Sequence, residues 1–68
     1  MAENGVVVPP ALIAQSVLSL VHRVGFARAA KLLECHREGV ARIVASMPVR
    51  PGTIALVEKN LRGLDQAA

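Results

Sequence analysis

Apolar residues recur at helical spacing in four stretches of this chain. From Ala11 to Val24, the residues Ile13, Val17, Leu20, Val21 and Val24 share one face at 100° per residue. Gln15, Ser16, Ser19, His22 and Arg23 share the other. Gly25 ends that helix. A short second helix is predicted over Phe26 to Leu33, with Phe26, Ala29, Ala30 and Leu33 inward and Arg28 and Lys31 outward. Glu34, Cys35 and His36 form a turn. A third helix follows from Arg37 to Met47, with Val40, Ile43, Val44 and Met47 as its inner stripe. Pro48, Pro51 and Gly52 make a rigid loop with Thr53 as the expected N-cap. A fourth helix runs from Ile54 to Leu64 on a stripe of Ile54, Val57, Leu61 and Leu64. The fold class expected is all-α, with four short helices, of which the second and third form a helix-turn-helix.

The ends read differently. Residues 1–10 form an arm, residues 11–64 the domain and residues 65–68 a tail. In the arm, Asn4-Gly5 is a turn signal, Val6, Val7 and Val8 are β-prone, and Pro9-Pro10 closes the segment. A single short strand does not stand alone. The arm therefore either pairs, for example with its copy in a second subunit, or is disordered.

At 68 residues the chain has room for one small domain, yet 53% of its residues are hydrophobic. So much apolar surface favours self-association. Leu12 and Leu56 fall off their helices' apolar stripes. Together with Val6, Val7 and Val8 they are the candidates for a homodimer interface. Residues 4–21 carry no charge, but they contain Pro9-Pro10, Asn4, Gln15, Ser16 and Ser19, which argues against a membrane span. Only Glu3 is charged before that stretch, so the basic start of a signal peptide is missing. With a lone cysteine, this leads to the expectation of a cytoplasmic protein.

The net charge is +3, and its placement is informative. Between His22 and Pro51, six basic residues (Arg23, Arg28, Lys31, Arg37, Arg42, Arg50) face two acidic ones (Glu34, Glu38), giving +4. Outside it, Lys59 and Arg62 against Glu3, Glu58 and Asp65 give −1. The positive charge thus sits where a polyanion would be held. On the third helix, Arg37, Glu38, Ala41, Arg42 and Ala45 share one outward arc of about 140°. Small Ala41 and Ala45 would let that face sink into a major groove. Arg37 and Arg42 would then reach guanine edges, and Glu38 would accept from cytosine or pair with Arg42. His36 stands at the helix start, near a phosphate or a base.

Other chemistry is poorly supported. Cys35-His36 is a thiol beside an imidazole, but adjacent residues rarely aim at each other and no third orienting group is evident. No Cys/His spacing suits zinc. The expectation is no enzyme, no cofactor and no metal. His22 reads as a helix-end residue favourable to the dipole.

The segment FARAAKLLECHREGVARIVA resembles the helix-turn-helix of phage Cro and repressor-type regulators. MPVRPGTIALVEKNL is similar to the loop and helix that follow the recognition helix there, so the likeness covers roughly Val17 to Leu64. It implies a recognition helix over Arg37–Ala45, with His36, Arg37, Glu38, Ala41 and Arg42 at base-reading positions. The same reading gives Arg23, Arg28, Lys31 and Arg50 to phosphates. The implied function is repression by a dimer on a palindromic operator. The alternatives are a helical interaction module, such as an antitoxin or adaptor, and a nonspecific DNA-architectural protein. Two positions depart from the family's pattern: Glu34 stands where the turn usually begins with glycine, and Gly39 lies inside the recognition helix. The first demands a strained or altered turn; the second weakens the helix, so that either it orders fully only on DNA or the glycine permits close packing against the second helix.

Overall fold

Four helices account for the regular structure: α1 (Ala11–Val24), α2 (Phe26–Leu33), α3 (Arg37–Val44) and α4 (Pro51–Ala67). The computed structural model describes residues 5–67, with side chains described through residue 64; Met1–Asn4, including half of the expected Asn4-Gly5 turn, lie outside the described residues. The fold is all-α, and no strand occurs among the described residues. No helix among them is long and apolar enough to cross a membrane.

The aliphatic periodicity builds the core. Val17, Leu20 and Val21 of α1 meet Ala29, Ala30 and Leu33 of α2, Val40 and Ile43 of α3 and Val57 of α4. Ala14 and Val49 complete the buried set. Ile13, Val24, Val44, Ile54, Leu61 and Leu64 pack around it, half-buried. The two buried alanines of α2, Ala29 and Ala30, let α1 and α3 approach it closely, since a larger side chain at either position would hold the helices apart.

Several local expectations are corrected. Phe26 is 41% exposed rather than inward. It occupies the first position of α2, beyond the core cluster that Ala29, Ala30 and Leu33 reach. Helix α3 stops at Val44, not Met47, because Ser46 takes a left-handed conformation at φ 58°. The Ser46 and Met47 N–H groups then donate to the Ile43 and Arg42 carbonyls, closing the end. Met47 is left 49% exposed, and Val49 fills the core place instead. Helix α4 begins at Pro51, three residues before the periodicity predicts. Proline's fixed φ and missing N–H suit a first turn, and the Arg50 carbonyl accepts from both Thr53 and Ile54. Thr53 therefore lies inside the helix and is not its N-cap. At its far end α4 runs on to Ala67, through residues expected as tail.

The arm pairs within its own chain. Val7 and Val49 exchange both main-chain bonds, at 2.7 and 2.9 Å, as a single antiparallel bridge. The arm is neither a strand of its own nor free of the domain.

A signal not anticipated is Asn60. Its side-chain amide donates to the Leu33 carbonyl at 2.8 Å, partly buried, across 27 residues. It satisfies one of the carbonyls left open where α2 ends, and ties α4 to that end.

Gly39 needs no close approach. A Cβ there would meet the Thr53 methyl at 3.9 Å and Cys35 Sγ at 4.0 Å, ordinary packing distances. Gly39→Ala is therefore expected to stabilise the fold by about 1 kcal/mol. A urea midpoint that falls in this variant would contradict the packing described.

Candidate nucleic-acid interface

The turn between α2 and α3 decides where α3 points. Glu34 adopts the left-handed conformation at φ 57°. The Glu34 N–H donates to Lys31 and the Cys35 N–H to Ala30, so the expected strained turn is formed by a non-glycine residue. A left-handed non-glycine residue costs on the order of 1 kcal/mol. Glycine gives part of that back as unfolded-state entropy. Glu34→Gly is expected to raise stability by up to about 1 kcal/mol, read as a higher thermal midpoint.

Cys35 points back towards the core, half-buried, as the apolar plug of this turn. Burial pushes its thiol above the ordinary value of 9.0. The protonated, weakly nucleophilic form thus holds at neutral pH.

Helix α3 follows with Val40 and Ile43 fully buried beneath it. Arg37, Glu38, Ala41, Arg42 and Ala45 are all exposed, as is His36 at its start. The outward arc expected from the spacing is therefore present. His36 makes no side-chain cap bond. Among the described residues the first N–H groups of α3, next to Arg37, thus receive no side-chain cap, and the positive end of a helix favours an anion. Glu38 and Arg42 form an exposed ion pair at 3.0 Å, worth only a few tenths of a kcal/mol. Its main effect is to hold the guanidinium along the face of the helix.

Two shallow depressions flank α3. One, towards α2, is lined by Ala27, Lys31, Glu34, His36, Arg37 and Glu38. The other, towards the arm and the start of α4, contains His36, Glu38, Arg42 and Arg50 together with Val6 and Leu56. Lys31, His36, Arg37, Glu38, Arg42 and Arg50 thus border one continuous surface around α3. Val6 and Leu56 both line the second depression, a neighbourhood the periodicity does not suggest.

Other predicted residues lie apart. Arg23 lines a groove between α1 and α4 with Ser16, Ser19, Leu61 and Leu64. Arg28 is exposed on α2 but borders neither depression at α3. His22 and Arg23 occupy the last turn of α1, where positive charge favours the helix dipole. Leu12 is 78% exposed on α1, also outside both depressions. Among the described residues, no three His, Cys, Asp or Glu side chains gather as a metal site.

Comparison with known protein families, curated proteins and solved structures found no match.

Proposed function

We propose that this chain is a sequence-specific DNA-binding regulator in which α2, the turn and α3 act as a helix-turn-helix. The observation that carries the reading is the face of α3. It presents two arginines, a glutamate and Ala41 outward, with Ala45 exposed just past its end, on a short helix anchored by fully buried Val40 and Ile43. A face with small residues among long charged ones fits a major groove. Arg37 and Arg42 read guanine edges, and Glu38 orients Arg42 or accepts from cytosine. Lys31 and Arg50 hold phosphates on either side, and the N-terminus of α3 receives another. Arg23 and Arg28 contribute at longer range, through the field of the whole domain. The regulator acts in the cytoplasm as a homodimer on a palindromic site, and occupancy of that site represses.

A second reading is a protein-interaction module, favoured by the exposed valines of the arm. The two separate cleanly. Selection from a randomised duplex library, followed by titration at several salt concentrations, is expected to yield one preferred sequence bound at least about a thousandfold tighter than random duplex. Equal, weak and steeply salt-dependent binding to all sequences would reduce the basic face to an electrostatic footprint. Absence of binding at low salt would discard the DNA reading altogether.

A further inference from the structure

The arm carries a second main-chain edge. In an antiparallel pair, a residue that exchanges both bonds with its partner turns both of its main-chain groups towards that partner. The residues on either side turn theirs the opposite way. Val7 exchanges both bonds with Val49. The N–H and C=O groups of Val6 and Val8 therefore face away from Val49, and they bond to no backbone group among the described residues. Val6, Val7 and Val8 are 51%, 42% and 61% exposed. An edge of exposed valines whose donors and acceptors meet no backbone partner among the described residues is a template for another strand.

We infer that this edge pairs with the same edge of a second copy, antiparallel and centred on Val7. The inference deepens the dimer named above but does not depend on DNA. Three features select a copy of this chain. First, the edge is self-complementary. Val6 and Val8 are its only residues with outward groups between Gly5 and Pro9. Centring the two-fold axis on Val7 sets Val6 against Val8 of the other copy, so all four donors and all four acceptors are used. Secondly, the pairing continues an existing ladder. The result is a ribbon of four segments ordered 49, 7, 7, 49, whereas one bridge alone is too little for a stable strand. Thirdly, residues 5–10 carry no charge, while the chain is +3 overall. The paired segments themselves therefore set no like charges face to face. The neighbouring depression holds Val6 beside Arg42 and Arg50. Pairing would therefore place the two α3 faces on either side of one axis, as two half-sites require.

Sedimentation equilibrium without DNA tests this. The unaltered chain is expected to dimerise, and Val8→Pro to weaken the dimer about 30-fold. That substitution removes one donor from each copy, hence two bonds per dimer, and leaves the Val7–Val49 bridge intact. A second variant guards against misfolding of the first. In a Cys35→Ala background, Val7→Cys places the two thiols across a pair with Cα atoms roughly 4.5 Å apart. It is expected to cross-link on mild oxidation far faster than Leu12→Cys. A monomer at all concentrations would overturn the proposal, even if the chain binds DNA or captures a foreign strand. A dimer indifferent to Val8→Pro, with equal cross-linking of both cysteine variants, would overturn it equally.

Discussion

Leu33→Ala is expected to remove most of the domain's stability. Leu33 is fully buried where α1, α2 and α3 converge, and its carbonyl receives the Asn60 amide. A buried leucine cut to alanine costs about 2–5 kcal/mol, through lost transfer energy and the cavity left behind. A domain of this size has only about 3–5 kcal/mol in total. Its aliphatic core offers no large neighbour able to collapse into the gap: the other fully buried side chains are Ala29, Val17, Val40, Ile43 and Val57. The thermal midpoint should fall by at least about 10 °C, since 1 kcal/mol shifts a domain of this length by about 4–8 °C. The α3 face should be lost with it, because Val40 and Ile43 pack in the same cluster. A midpoint lowered by only a few degrees would mean that α2 is not the keystone of the core.

Arg42→Ala is expected to have the largest effect on recognition with little effect on folding. Its side chain is about half exposed and its ion pair with Glu38 lies along the surface. Removing it should change stability by less than about 0.5 kcal/mol. At the preferred sequence the loss should be about 1–3 kcal/mol, a factor of roughly 5–150, if Arg42 grips a base edge. Random duplex should lose only the contribution of one charge, so the gap between preferred and random sequence narrows. Lys31→Ala supplies the contrast. It should weaken both duplexes alike and lower the salt slope by about one. Equal losses in the two variants, on both duplexes, would place Arg42 on a phosphate rather than on a base.

Much of this organisation is legible in the sequence for a simple reason. Val17, Leu20 and Val21, then Val40 and Ile43, repeat at helical spacing, and that periodicity states both the helix and its buried face. The outward arc of α3 follows directly, being the complement of the buried one. What is not legible depends on contacts between segments far apart in the chain. Val7 finds Val49, and Val6 comes to lie near Arg42; no local spacing encodes either. Asn60 was hidden differently. Counting at 100° per residue puts it at the edge of the α4 stripe, where an amide has to find a partner, but the partner is the end of α2. Helix ends depart from the periodicity where a single backbone conformation overrides it. Ser46 turns left-handed and stops α3 before Met47, and Pro51 starts α4 early.

Amide chemical-shift mapping tests most directly whether the α3 face meets DNA. With the chain labelled with nitrogen-15 and titrated with the selected duplex, the largest shifts are expected over His36–Ala45. Smaller ones are expected at Lys31 and Arg50, and little change in the groove of Ser16, Ser19 and Leu64. Shifts concentrated in that α1–α4 groove, with α3 unmoved, would contradict it.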